Sequence, residues 1–121
     1  MDNSQNSKPK YDLEKRTFQF AKNVRLFIKT LQKTIANIED IKQSGSVGSN
    51  YIEANEALSK KDFVMRIKIC RKEAKESAYF LSLINETNEL ENRKEVEKFI
   101  QEASELKKYF LRFLRNQNDK V

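Results

Sequence analysis

Lysine side chains recur at helical spacing in two segments of the chain, where they could contact phosphate groups. Within each segment they are three, four or seven residues apart, so they fall on one face of an α-helix. Such rows can follow a nucleic-acid backbone without distinguishing its bases, but they can equally be solvated faces. The candidate nucleic-acid-binding residues are Lys15, Lys22 and Lys29 in the first segment and Lys61, Lys68, Lys72 and Lys75 in the other.

Carboxylate and amide side chains form two further groups with the spacing of metal ligands. Asn50, Glu53 and Glu56 share one helical face, and Glu73 and Glu76 share another. Glutamates at this spacing bind iron in ferritin-like bundles, but those sites also require histidine, which this sequence lacks. We therefore predict no metal site and no cofactor. The acidic groups are expected to make polar contacts between helices or to face solvent, and Glu73, if half-buried, needs a partner such as Asn50 or an arginine.

The single cysteine, Cys70, shares a helical face with apolar residues. A cysteine in this setting is more often a small buried hydrophobic side chain than a nucleophile, and no histidine is present to activate it. The sequence also lacks the serine motifs of hydrolases and the glycine-rich loops that hold phosphates. We therefore predict no catalytic residue and no enzymatic activity.

Three tyrosines allow two interpretations. Tyr51, Tyr79 and Tyr109 could stack on bases, or they could lie at the margin of the core or in an oligomer interface.

The elements that position these residues are predicted to be helices. The 121 residues include only 2 Gly and 1 Pro, so the turn residues that β-rich folds require are nearly absent. Hydrophobic residues make up 38% of the chain, which is enough to form a core. The formal net charge of +6 suits an acidic partner, although solubility alone also favours such a charge.

Apolar residues with a period of three to four define four amphipathic segments. The first follows a candidate N-cap at Asp12, the third follows one at Ser59, and the last has an unbroken stripe from Val96 to Phe113. Short links between long helices predict an all-α fold, an antiparallel up-down-up-down four-helix bundle.

The second segment contains both glycines, so it could be a loop or a helix. Gly and Ser between residues 43 and 50 are typical of a loop, yet Gly45 and Gly48 fall on the apolar stripe of a helix. We predict one helix over residues 34–57 in which the glycines allow close approach of a neighbour. Its apolar residues form two stripes, one ending at Ile52 and one ending at Leu58.

We predict one domain over residues 12–116, a disordered lead-in at 1–11 and a frayed end at 117–121. The lead-in is polar and has no apolar core of a signal peptide. Together with the lone cysteine and the absence of a long apolar stretch, this predicts a cytoplasmic protein without membrane contact.

Several sequence blocks carry a family resemblance. Residues 44–57 begin with a run of small residues that is followed by Asn-Tyr-Ile-Glu-Ala. Arg-Thr-Phe precedes this block at residues 16–18. Ser-Lys-Lys-Asp-Phe at 59–63 and Lys-Glu-Ala-x-Glu-Ser at 72–77 follow, and then Tyr-Phe-Leu at 79–81, where the family often has Tyr-Trp-Leu. Over residues 13 to 115 the chain resembles the bacterial four-helix-bundle proteins encoded by intervening sequences of large-subunit ribosomal RNA genes.

This resemblance implies a cytoplasmic bundle that assembles as a ring-shaped homopentamer. The chain is also similar to the pentameric accessory protein of diversity-generating retroelements, which binds nucleic acid and a reverse transcriptase through basic surfaces. The resemblance also singles out Gly45, Gly48, Asn50, Glu53 and Glu73 as structural motif residues. The function predicted here is therefore a non-enzymatic homo-oligomer that binds RNA or DNA, or a nucleic-acid enzyme. The alternative is a structural or protein-interaction ring whose basic faces only keep it soluble.

Overall fold

The computed structural model describes residues 12–34, 37 and 47–119, with side chains to residue 116. These residues form four α-helices: α1 (Leu13–Ile28), α2 (Val47–Asn55), α3 (Lys60–Thr87) and α4 (Arg93–Asp119). No strand occurs in this part of the chain. The prediction of an all-helical fold is thus confirmed. The lead-in lies outside the described residues, and the predicted domain boundaries stay a prediction.

Short polar side chains start three of the helices. A carboxylate oxygen of Asp12 accepts a hydrogen bond from the amide of Lys15 at 3.1 Å. The hydroxyl of Ser59 accepts one from the amide of Asp62 at 3.0 Å. Before α4, the side-chain oxygen of Asn92 accepts one from the amide of Glu95 at 3.1 Å. These bonds satisfy amides that have no partner within the first turn of a helix.

The two longest helices, α3 and α4, form an antiparallel hairpin. At one end the rings of Phe63 and Phe113 lie edge to face, with centroids 6.4 Å apart. At the other end the guanidinium of Arg93, the first residue of α4, donates hydrogen bonds to Asn85 and to the carbonyl of Asn88. The hairpin buries the apolar faces that the sequence predicts, and completely buried side chains include Ile67, Leu81, Ala103, Leu106 and Phe110.

The shorter helices α1 and α2 cover the remaining side of this hairpin. Helix α1 packs against α2 and α4, whereas α2 packs against α1 and α3. The ring of Phe27 in α1 meets Phe99, and that of Tyr51 in α2 meets Phe110, both at centroid distances of 5.8 Å. Among the described residues α1 and α3 have no comparable contact, so they lie diagonally across the bundle. The up-down-up-down order of all four helices stays a prediction.

The region before α3 differs from its predicted pattern. The described helix covers Val47–Asn55 and so ends two residues before the predicted end at residue 57, while most of residues 35–46, including Gly45, lie outside the described residues. Of the two predicted stripes, the second faces the core, because Val47, Tyr51 and Ala54 are buried. Ile52 is about half exposed and Leu58 is 99% exposed, so neither residue belongs to the core. Leu58 is exposed because α2 has already ended at Asn55.

Gly48 lies where α2 approaches α1. A Cβ atom at this position would meet three atoms of Thr17 at 3.6 Å, which is an ordinary van der Waals distance. We therefore expect Gly48→Ala to raise the free energy of unfolding by about 0.5–1 kcal/mol, since alanine loses less backbone entropy in a helix. Urea denaturation measures the change. The reverse substitution at buried Ala54, Ala54→Gly, should lower the same free energy. A lower stability in Gly48→Ala would mean that the helices require glycine there.

None of the described helices combines the length and the apolar character needed to cross a membrane.

Candidate functional site

All seven candidate lysines are exposed to solvent. The ion pairs of the described residues are Arg16 with Glu102, Arg66 with Asp62 and Lys108 with Glu105. None of the seven candidates takes part in them. Their ammonium groups are therefore available to an external anion.

The four lysines of α3 lie on its outermost face, opposite the buried stripe. At 1.5 Å per residue the row from Lys61 to Lys75 is about 21 Å long. The next residue on this face is Tyr79, which follows Lys75 by four positions and is 60% exposed. Its ring touches only the neighbouring Phe80 among the described aromatic residues. The ring of Tyr79 thus continues the row of lysines on α3. The sequence-based prediction did not connect Tyr79 with this row.

The three lysines of α1 form a separate row. Because α1 and α3 are diagonal in the bundle, the two rows face away from each other. The structure does not bring the seven lysines together within one subunit. Helical spacing within each segment predicts the two rows, but it contains no information about how the segments are placed.

An open groove runs between α1 and α2 beside the α1 row. Its volume is about 950 Å³. Thr17, Ala21 and Gly48 are small enough to leave this space between the helices, and three large apolar side chains line it in part: Phe18, Leu26 and Ile52. The residues that line the groove with basic side chains are Lys15, Lys22, Arg25 and Lys29.

The other two tyrosines have structural partners. Tyr51 is buried against Phe110, and burial raises the pKa of its hydroxyl above the ordinary value. Tyr109 is half-buried, and the guanidinium groups of Arg16 and Arg112 lie 4.8 Å and 5.3 Å from its ring centre. Of the three tyrosines, only Tyr79 has a ring that is largely open to solvent.

Arg16 also forms a two-pronged ion pair that no feature of the sequence predicts. Its Nε and Nη2 atoms donate to the two carboxylate oxygens of Glu102 at 2.6 and 2.8 Å, which joins α1 to α4. The hydrogen bonds to Glu102 raise the pKa of the guanidinium above its ordinary value. The two partners are 86 residues apart, so no helical spacing relates them.

We expect a double-mutant cycle of Arg16→Met and Glu102→Gln to give a coupling free energy of about 1 kcal/mol. The paired geometry is favourable and both side chains are less than one-third exposed, so water screens the pair only in part. Urea denaturation of the four proteins measures the coupling. The more exposed pair Arg66–Asp62 is the control and should couple by less than about 0.5 kcal/mol. Equal coupling free energies in both pairs would contradict the stabilising role of the Arg16–Glu102 pair.

The motif residues Asn50, Glu53 and Glu73 do not form a cluster of acidic side chains. Glu53 is exposed, whereas Asn50 and Glu73 are half-buried and both have interaction partners. In residues 12–34, 37 and 47–116 no three acidic or cysteine side chains are grouped as metal ligands would be. Of these residues, the sequence suggests partial burial for Glu73 alone, and the partners of Asn50 and Glu73 depend on tertiary packing.

Cys70 is completely buried in the hydrophobic core, as the apolar stripe predicts. Burial, with a smaller contribution from the carboxylate of Glu73, raises the pKa of its thiol from 9.0 to about 12. A thiol with this pKa is almost entirely protonated at neutral pH, which is the opposite of what a nucleophile needs.

A comparison with protein families decides what the chain is related to. The family model described as 23S rRNA-intervening sequence protein matches residues 10–111. The chain belongs to this family. The match covers α1, α2, α3 and most of α4.

A solved structure resembles this 23S rRNA-intervening sequence protein. It is the 1.70 Å crystal structure of a protein of unknown function from the S23 ribosomal protein family of Bacteroides thetaiotaomicron. The two chains are 25% identical and superpose with a TM-score of 0.71, over 84% of this chain and 96% of the other. A comparison with curated proteins gives no match.

Proposed function

We propose that this protein is a non-enzymatic homo-oligomer that binds nucleic acid along the outer face of α3. The observation that carries the proposal is the row of four exposed lysines without ion-pair partners in the described chain: Lys61, Lys68, Lys72 and Lys75. The subunit is proposed to be an up-down-up-down bundle. The antiparallel α3–α4 hairpin and the diagonal placement of α1 and α3 support that order.

The spacing of the α3 row suits a phosphate backbone. Successive lysines are about 10, 6 and 4.5 Å apart along the helix axis, so several can contact neighbouring phosphates of one strand. The exposed ring of Tyr79 lies at the end of the row, where it can stack on an unpaired base. Contacts of this kind give affinity with little dependence on sequence.

The α3 row is a better candidate than the α1 row for two reasons. Two large apolar side chains, Phe18 and Leu26, are exposed beside the α1 row and gain nothing from phosphate contact, whereas the α3 row has one such neighbour, Met65. On α3, the row continues instead into the exposed aromatic ring of Tyr79, which can stack on a base.

The salt dependence of binding tests the proposal. Fluorescence anisotropy with labelled single-stranded and duplex oligonucleotides gives the slope of log affinity against log salt concentration. Neutralising all four lysines of the row to Gln should flatten that slope by about 3 for single strands and by nearly 4 for duplex, as expected for four lost phosphate contacts. The matched control neutralises four exposed basic residues of α4: Lys94, Lys98, Lys108 and Arg115.

The control removes the same net charge, so the two variants separate a defined surface from general attraction. A markedly larger change in the α3 variant would support the proposed face. Equal changes in both variants would contradict it. The absence of any salt-dependent binding by the wild-type protein would favour the structural ring without a nucleic-acid role.

The assembly is proposed from the family resemblance as a pentamer, and a reverse transcriptase is the protein partner that the same resemblance suggests. Native mass spectrometry tests the assembly directly. Five chains of 14.3 kDa would give a mass of about 72 kDa. Additional mass removable by nuclease would support nucleic-acid binding, and a bare monomer at all concentrations would contradict the assembly.

A further inference from the structure

The exposed ring of Tyr79 lies in line with the lysine row of α3. Tyr79 follows Lys61 by 18 residues, which is five full turns of 3.6 residues, so both side chains project from the same side of the helix. The ring meets Phe80 edge to face at a centroid distance of 5.2 Å. Phe80 therefore covers at most one face of the Tyr79 ring, and the residue as a whole is 60% exposed.

The basic character of this side of α3 ends at Tyr79. Residues 80–92 contain three acidic residues and no basic one, and Glu86, Glu89 and Glu91 are all exposed. A phosphate backbone that follows the lysines is therefore not attracted beyond the ring. Tyr79 lies about 6 Å past Lys75 along the helix axis, so a base next to the phosphate that Lys75 binds can reach it.

An aromatic ring distinguishes single strands from duplexes, which phosphate contacts alone do not. The lysines bind a backbone that both forms of nucleic acid share. In a duplex, neighbouring base pairs cover both faces of each base, and only the base edges are open in the grooves. An unpaired base has a face available for stacking on an aromatic side chain. The ring of Tyr79 therefore adds affinity for a single strand and none for the interior of a duplex.

We propose that the α3 face binds a single nucleic-acid strand, with the ring of Tyr79 stacked on an unpaired base at the end of the lysine row. This inference rests on the nucleic-acid binding proposed above and assigns the class of ligand. The four lysines bind the backbone and set the salt dependence, whereas stacking adds affinity without a further ionic contact. Because every base has an aromatic face, the face selects unpaired strands with little regard to their sequence.

Tyr79→Ala in the full-length chain tests the inference. The substitution removes the ring but no charge, so the affinity for oligothymidine should fall by about fivefold or more. The affinity for a blunt-ended duplex of mixed sequence should stay at the wild-type value. The slope of log affinity against log salt concentration should also stay unchanged for both ligands, because the same phosphates are bound. Fluorescence anisotropy measures all of these quantities.

Two further variants are the matched controls. Tyr79→Phe keeps an aromatic ring and should bind oligothymidine like the wild type. Phe18→Ala removes a ring that is 68% exposed beside the α1 row and should also bind like the wild type. Circular dichroism melting verifies that each variant is folded, and analytical ultracentrifugation compares its mass with that of the wild-type protein.

The outcomes separate this inference from the proposal on which it rests. A wild-type protein that binds neither ligand would overturn both. Wild-type binding that Tyr79→Ala leaves unchanged, or weakens equally for oligothymidine and duplex, would overturn the single-strand assignment alone. A loss of oligothymidine binding in Phe18→Ala but not in Tyr79→Ala would overturn it in favour of α1. A Tyr79→Ala variant that assembles to a smaller mass than the wild type would overturn it by placing the ring in a contact between subunits.

Discussion

Leu106→Ala is expected to lower the free energy of unfolding by about 2–5 kcal/mol. Leu106 is completely buried in the main hydrophobic cluster, at the centre of the α4 stripe. Truncation removes its apolar contacts and leaves a cavity that neighbouring side chains of α3 and α1 can fill only in part. Such a loss is a large share of the stability of a domain of this size. Urea denaturation followed by circular dichroism measures it.

The matched control is Leu58→Ala. Both substitutions remove the same atoms, but Leu58 is 99% exposed in the link between α2 and α3. We expect its effect to stay within about 0.5 kcal/mol. The comparison also tests the exposure of Leu58, which the periodic pattern assigns to a buried stripe. A loss at Leu58 as large as that at Leu106 would mean that Leu58 is buried in solution, either in the subunit or in its assembly.

Alkaline pH is expected to destabilise the protein through Cys70. Burial favours the neutral thiol, so its folded-state pKa of about 12 lies above that of the unfolded chain. Below the unfolded value, near 9, the contribution to stability is fully present, and it is lost as pH rises from there toward 12. Each pH unit in this window removes about 1.4 kcal/mol for one proton, which amounts to roughly 3 kcal/mol by pH 11.

Cys70→Ala separates the thiol from other groups that titrate in the same window. The pKa of Tyr51 is also raised, so its hydroxyl contributes a loss of the same sign in both proteins. The variant should be less stable at pH 7 by about 1 kcal/mol because of the small cavity, but its stability should fall less steeply between pH 9 and pH 11. Urea denaturation at several pH values gives both curves. Identical slopes for the two proteins would contradict the burial of an uncharged thiol.

Periodicity alone predicts most of the core of this protein. The stripes of α1, α3 and α4 are buried as expected, because long amphipathic helices leave little choice of which face packs inward. Asp12 and Ser59 are N-caps for an equally local reason, since a cap needs only the next three residues. Prediction was weaker around α2, where Gly, Ser and two competing stripes made the buried face ambiguous. Periodicity assigns Ile52 and Leu58 to stripes that the structure does not bury.

Contacts between distant segments could not be predicted in the same way. Asn37 and Asn88 exchange two amide hydrogen bonds of 3.0 and 3.1 Å, although 51 residues separate them. Arg93 holds the end of α3 through bonds to Asn85 and Asn88, which a turn-forming sequence does not specify. These pairs depend on how whole helices are placed relative to one another. The hydrophobic periodicity of a sequence contains no information about that placement.

The same distinction applies to the candidate site. Spacing correctly placed each lysine row on an exposed helix face, because charged residues opposite an apolar stripe must face water. It could not show that the two rows point in different directions, nor that Phe18, Leu26 and Ile52 line one groove. Both observations come from the packing of α1 against α2 and α4.

The α3–α4 hairpin also has a consequence for how the chain folds. Only residues 88–92 separate its two helices, so the entropic cost of closing this loop is small. The contact of α1 with α4, such as Phe27 with Phe99, instead joins residues that are 72 positions apart. From this difference in chain connectivity we expect the hairpin to form first and the N-terminal helices to pack onto its apolar surface afterwards.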